Sequence, residues 1–270
     1  MTTEQEVIHS RIWEEQAEAD NPFAAAACYC SGFDVYGDLL GKAGWIEYLY
    51  LLFRQEPPAA AEARLLEGLA VAIANPGPRD HSVRAAMCAG VGGSSSASAL
   101  MAALAVGAGQ LGGAREVRLA MEGWDQCGED LDAWCNYLLH PPCNERIDVW
   151  PEREHPPGFD PNGVSCPTPV RQTLDYLMQH SPGGSLKWLR EQRPVLEEKT
   201  GMPLAMTGVA AAALADLGFT APQGEMLYLL LRLPGAAAHA LEQGEYGFRR
   251  YPFFPKGLDV TNDPGPYTAN

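Results

Sequence analysis

The sequence predicts a mainly α fold, and three observations carry that prediction. Apolar residues recur at helical spacing in several separate stretches, long alternating runs of β-branched residues are missing, and prolines and glycines fall between the periodic stretches. With 270 residues, 46% of them hydrophobic and 20% charged, the chain is long enough to bury one sizeable core or a core with a smaller lobe beside it.

Taken in order, the first element to suggest itself is a short extended piece, Phe33-Asp34-Val35-Tyr36. From Ala59 to Ala74 the spacing puts Leu65, Leu66, Leu69, Ala70 and Ile73 on one helical face, with Glu62, Arg64 and Glu67 largely elsewhere. Pro57 and Pro58 precede that helix and Asn75-Pro76-Gly77-Pro78 ends it, because proline cannot continue the backbone ladder. A second helix is expected over Ser98–Gln110, opened by Ser94, Ser95 and Ser96, whose hydroxyls accept from free first-turn amides. Further helices are expected over Arg171–Gln179, Leu186–Arg190, Gly208–Leu217, Glu225–Leu231 and Ala236–Glu242, with Gly218 as a C-terminal cap.

Two segments break the pattern. Residues 140–169 hold eight prolines and read as a long irregular connection, a kind that is usually functional or disordered. The tail from Tyr246 to Asn270 is rich in aromatics, proline and glycine, suited to embracing a partner or closing the core. The division expected is a large helical domain over residues 1–125 and 204–270 and a small domain over 126–203 that carries the proline-rich loop.

Nineteen basic against thirty-four acidic side chains leave a formal net charge of −15, which argues against non-specific nucleic-acid binding and against anionic membranes. The N-terminal stretch MTTEQEVIHSRIWEEQAEAD has no basic-then-apolar leader, and the most apolar stretch, Ala97 to Ala114, is interrupted by Gly107, Gly109, Gln110, Gly112 and Gly113. Seven cysteines, an odd number with no CxxC pair, suggest neither a zinc site nor a disulfide framework. A cytoplasmic protein with mostly buried, reduced thiols is the expectation.

Few residues suggest chemistry on their own. His81 follows Asp80, so a carboxylate stands beside an imidazole in the chain, although sequence neighbours rarely face one another. Arg232 follows the apolar run Leu227–Leu231, which implies a partly buried stem and a guanidinium that needs a carboxylate or phosphate, from a ligand or from an internal salt bridge. His239 lies seven residues further on, on a neighbouring face if the helix survives Pro234. The glycine–serine run Gly90–Ser96 lacks a phosphate-loop pattern and reads as close helix packing.

Together, GFDVYGDLLGKAGWIEYLYLLFRQEPPAAAEARLLEGLAVAIA, SVRAAMCAGVGG, ALAVGAGQLGGA, TGVAAAALADLGF and LLLRLPGAAAHALEQ resemble, in matching order, the citrate synthase superfamily and above all its short citryl-CoA lyase-like branch. The resemblance implies a two-lobed helical homodimer with its site between lobes, making or cleaving a carbon–carbon bond between a CoA thioester and a 2-oxo acid. No further cofactor is implied, and CoA or a CoA thioester would be the substrate.

Residue by residue, the chain departs from the chemistry so implied. The family's catalytic positions fall on Pro76, Leu111, Pro161 and Thr207. Proline and leucine exchange no proton, and threonine is no base near neutral pH. Arg232 keeps the family's carboxylate-binding role, Arg171 stands near the position of a second arginine, and Arg249 and Arg250 lie in the tail, where the family reaches into a partner's site.

Three readings follow. The first is a divergent relative with a degenerate site that binds a carboxylate or CoA-type ligand, or an active paralogue, without the usual condensation or cleavage. The second is an enzyme with rewired chemistry, a lyase or acyltransferase using new groups from among His239, His81, Asp80, Asp160, Cys166 and His155. The third is a purely structural interaction protein, its cleft filled by Leu111, Trp150 or Phe159.

Overall fold

Ser31 and Gly32 hold φ of +49° and +86°, the left-handed pair that reverses a chain tightly between strands. In the computed structural model, which describes residues 9–140 and 155–253, this turn joins β2 (Ala25–Cys30) to β3 (Phe33–Asp34), and β1 (Glu14–Ala17) pairs antiparallel with the other edge of β2. The extended piece expected at 33–36 is therefore only half extended. Asp34 accepts from the amides of Tyr36 and Gly37 and starts a π-helical turn over Val35–Leu39. The hairpin strands themselves were not visible as alternation, because β1 is exposed throughout.

Helices make up the rest of the regular structure among the described residues. Helix α1 (Trp45–Arg54) begins where the Glu47 carboxylate accepts from Gly44 N at 2.6 Å, and α2 (Ala60–Ile73) begins where Glu62 does the same for Ala59 N. The expected apolar face of α2 is the buried one, with Leu65, Leu66, Leu69 and Ile73 inside. After the proline-rich turn, Asp80 caps α3 (His81–Val91). Ser95 accepts from Ser98 N at 3.2 Å and opens α4 (Ser96–Gly107). Helices α5 (Ala114–Cys127), α6 (Leu131–Leu139), α7 (Thr168–Met178), α8 (Ser185–Thr200), α9 (Met206–Asp216) and α10 (Ala221–Tyr246) follow, then a 3-10 turn over Phe248–Arg250.

Two sequence expectations are corrected. Residues 225–231 and 236–242 belong to the single helix α10, which runs through Pro234, and α8 extends ten residues past Arg190 through Pro194. A helical proline leaves the carbonyl four residues back without its donor. Here those residues are Leu230 and Arg190, both exposed, so water can take the donor's place.

The chain divides into two compact units. One comprises residues 1–75 and 107–233, the other residues 76–106 and 234–270. In the first, α9 is the centre. Its sequence from Thr207 to Leu214 is apolar and small apart from Thr207, and every one of those residues is buried, as an all-round apolar helix requires. It packs against α2, α5, α7 and α8. Gly218, at φ +70°, ends it as expected, and the Arg54 guanidinium donates to the Gly218 carbonyl. Beside it Trp124 meets Trp134 and Trp188 edge to face, with ring centroids 4.7 and 5.5 Å away. In the second unit, α3 and α10 touch backbone to backbone, Gly90 lying directly against the Ala240 carbonyl.

At the start of α9, glycines permit another close approach. A Cβ on Gly208 would stand 2.6 Å from the Gly158 carbonyl oxygen and 2.8 Å from Leu204 Cδ1. Gly208→Ala is expected to cost about 1–3 kcal/mol of stability through overpacking, read as a lower urea midpoint with an unchanged m-value.

Candidate functional site

The site is built around one buried carboxylate. Glu116 sits in the first turn of α5, where acidic side chains suit the helix dipole, yet only 1% of it is exposed. Its burial is compensated by hydrogen bonds to both oxygens. Oε2 accepts from Gly112 N at 2.5 Å and faces His155 Nε2 at 3.3 Å, while Oε1 accepts from Gly158 N at 2.9 Å and from Thr207 Oγ1 at 2.6 Å. Three chain segments thus meet at one group: the Gly-Gly turn before α5, the segment from His155 to Gly158, and the start of α9.

That convergence decides which nitrogen of His155 faces the carboxylate. A carboxylate already taking two amides and a hydroxyl acts as an acceptor, so the hydrogen-bond pattern makes Nε2 the nitrogen that donates to it. Nδ1 is then the nitrogen left over. It is buried and has no hydrogen-bond partner among the described residues, a condition that costs about 1–3 kcal/mol for a buried polar group.

The same segments carry three of the four positions on which the family resemblance places catalytic groups. Leu111 adjoins Gly112, Pro161 lies three residues past Gly158, and Thr207 is itself a partner of Glu116. Pro76 belongs to the other compact unit. Thr207 is 4% exposed and its hydroxyl is committed to Glu116, whereas Leu111 is 43% exposed. Phe159 is buried in the core, and Trp150 lies outside the described residues.

The remaining candidates are dispersed. Arg232 is buried, its guanidinium 4.9 Å from the centre of the Tyr228 ring. His239 faces Glu242 on its own helix at 3.0 Å. Asp80 accepts from the Ser82 and Val83 amides and from the Ser82 hydroxyl, acting as a helix cap, while His81 is exposed at the first position of α3. Asp160 accepts from Asn162 N in its own turn. Arg250 is exposed in the 3-10 turn.

Arg171 stands at the rim of a groove of about 410 Å³ lined also by Cys166, Arg193, Glu197, Met202 and Pro203. It donates to Thr168 Oγ1 at 3.0 Å, and Arg193 pairs with Glu197 at 2.8 Å. Both arginines also line a neighbouring depression of about 320 Å³ with Arg190. Burial, and then the nearby Glu197 charge, push the Cys166 thiol above its usual range, so at neutral pH it is a protonated thiol and a poor nucleophile. Among the described residues, no group of histidine, cysteine and acidic side chains is arranged to hold a metal ion.

Glu116 is the residue that sequence reasoning missed. Its one local signal is a glutamate three residues into a helix that follows Gly112-Gly113. Spacing does not tell that the helix start is buried.

Two outcomes are expected. Glu116→Gln presents an amide N–H₂ or a mismatched oxygen to fixed donors and should lower stability by about 2–3 kcal/mol in urea unfolding. Iodoacetamide at pH 7.5 should modify exposed Cys88 well before buried Cys127 and Cys166, whose thiols burial has raised, as read by peptide mass spectrometry.

No protein-family model matches the chain, and no curated protein matches it in sequence. Solved structures do. Citryl-CoA lyase from Hydrogenobacter thermophilus superposes with a TM-score of 0.74 at 18% identity, covering 98% of this chain and 98% of that one. A mutant ATP citrate lyase of Methanosaeta concilii, in complex with (3S)-citryl-CoA, gives 0.71 at 16% identity over 92% of this chain. The ATP citrate lyase of Methanothrix soehngenii, in complex with citrate and coenzyme A, gives 0.71 at 16% identity over 92%. The chain spans 40% and 41% of the length of those two larger proteins. Over nearly its whole length, then, this helical chain is built on the fold of citryl-CoA lyase.

Proposed function

We propose that the protein binds a carboxylate or a CoA-type ligand on this fold and does not perform carbon–carbon condensation or cleavage with the groups the family uses. One observation carries the reading. Of Pro76, Leu111, Pro161 and Thr207, only threonine bears a proton on a heteroatom, and that hydroxyl is hydrogen-bonded to buried Glu116 at 2.6 Å. Each proton-transfer group commonly contributes about 10²–10⁴ in rate, so the loss of all four leaves binding as the inherited property.

Anion recognition is the part that the side chains support. In a chain of net charge −15, Arg171 brings to the 410 Å³ groove a guanidinium that donates to Thr168 Oγ1, beside an Arg193 held by Glu197, and a guanidinium suits phosphate or carboxylate. Arg232 and Arg250 are the other residues to which this reading gives carboxylate binding, each at its own place in the chain. The structural neighbours captured with citryl-CoA, citrate and coenzyme A make those molecules the first ligands to try.

The same reading takes the chain as a cytoplasmic homodimer, with a large domain over 1–125 and 204–270 and a small one over 126–203. Helix α4 favours a second copy as the partner. No charged side chain occurs from Ser94 to Ala114, yet Met101 is 60% and Val106 39% exposed, a combination suited to self-association of an otherwise acidic surface. Among the described residues no helix is long and apolar enough to cross a membrane.

Calorimetric titration with CoA, acetyl-CoA and citrate tests the ligand. Micromolar binding, about −8 kcal/mol, is expected for at least one, weakened about tenfold or more in Arg171→Ala and in Arg232→Ala. Absence of binding to all of them overturns the reading. For the partner, light scattering should give a dimer that Met101→Glu shifts to monomer.

A further inference from the structure

The hairpin near the start of the chain leaves one sheet edge open. In the order β1-β2-β3, β1 pairs on one side only among the described residues, and all four of its residues are exposed. Just past it, the Glu18 amide donates to the Ala24 carbonyl at 2.9 Å. Backbone groups of alternate residues in an antiparallel ladder point to opposite sides. The register irregularity skips Ala26 of β2, since Gln16 pairs with Ala27 and Ala17 with Ala25, so β1 itself keeps its alternation. Glu14 and Gln16 therefore turn toward β2 as Glu18 does, and the N–H and C=O groups of Glu15 and Ala17 point away from the sheet. Such an edge is a template for a further strand.

The side chains say which strand. From Ile12 to Gly41 the chain has no basic residue and six acidic ones, of which Glu14, Glu15, Glu18 and Asp20 lie on or just after β1. By alternation Glu14, Gln16 and Glu18 share one face. Trp13, Glu15 and Ala17 share the other, where the Trp13 indole donates to Glu15 at 2.7 Å. An aromatic ring stands beyond each end of the strand, Trp13 38% exposed and Phe23, in the turn to β2, 99% exposed. A second copy pairing here would crowd two sets of carboxylates into one ladder, and like charges across strands are destabilising. The acids that repel a second copy attract a basic strand, so the same charges exclude one partner and admit another.

We infer that the outer edge of β1 is a docking site for an extended segment of another protein, basic at alternate positions and apolar between them, which joins the hairpin as a fourth strand. Its backbone pairs with Glu15 and Ala17, its basic side chains lie on the face of Glu14 and Glu18, and its apolar ones lie on the face of Trp13 and Ala17.

The probe is a dye-labelled peptide, KVRVKV with an amidated end, followed by fluorescence anisotropy at low salt. It should bind the protein, and the acidic counterpart EVEVEV should not. Ala17→Pro removes one outward N–H while leaving the bonds to β2 in place, as proline on an edge strand does. It should weaken binding about tenfold with the urea midpoint of the protein retained. A second comparison needs no variant to fold. KVRVKV with N-methyl groups on one set of alternate residues should lose binding to the unaltered protein, and with N-methyl groups on the other set should keep it, because only one edge of the peptide faces β1.

No binding of KVRVKV overturns the proposal, as does equal binding of the two N-methylated forms or undiminished binding to folded Ala17→Pro. A dimer of the protein alone that Ala17→Pro dissolves also overturns it, by placing a second copy on this edge.

Discussion

The hydrogen bonds of Glu116 are the interaction on which the rest of the larger unit depends. A carboxylate 1% exposed is tolerable only when its lone pairs are filled. Filling them requires the Gly112 amide, the Gly158 amide, the Thr207 hydroxyl and His155 to arrive together. They arrive from three parts of the chain, so the charge acts as a register mark for α5, for the segment from residue 155 and for α9. Apolar packing of the alanine-rich α9 supplies much of the burial but little direction, because small side chains slide past one another more easily than polar groups change partners.

Glycine makes the register sterically attainable. Gly158, at φ +90°, donates to Glu116 and brings its carbonyl against Gly208, one residue past Thr207. A side chain at either place would push α9 away from the segment that carries His155. The polar bonds and the close backbone contact therefore constrain one another. Loss of one is felt by the other, which makes neighbouring substitutions here poor candidates for additive effects.

The main chain around Leu111, Pro161 and Thr207 is organised by amides and by Glu116. Function resides in the groups a site presents rather than in the scaffold that presents them.

Much of this was legible in the residues. Periodicity placed α2, α4, α7 and α9 and the buried face of α2. Gly218 announced the end of α9, and Ser95 the beginning of α4. These are local matters, decided by 3.6-residue spacing and by caps within a turn of their helix. The single helix through Pro234 and the extension of α8 past Pro194 were not legible, since a helix tolerates proline only where solvent can reach the stranded carbonyl, and exposure is a property of the whole fold. The strand hairpin escaped for a related reason, its first strand having no buried face to impose alternation. The Glu116–His155 pair was the furthest from view. Its members are separated by 39 positions, and nothing in either neighbourhood tells a glutamate that it will be buried or a histidine which nitrogen it will have to give. Sequence alone determined the helical class, the caps and the placing of the arginines along the chain; tertiary structure alone decided which polar groups meet, because meeting requires distant segments to share one buried, low-dielectric place.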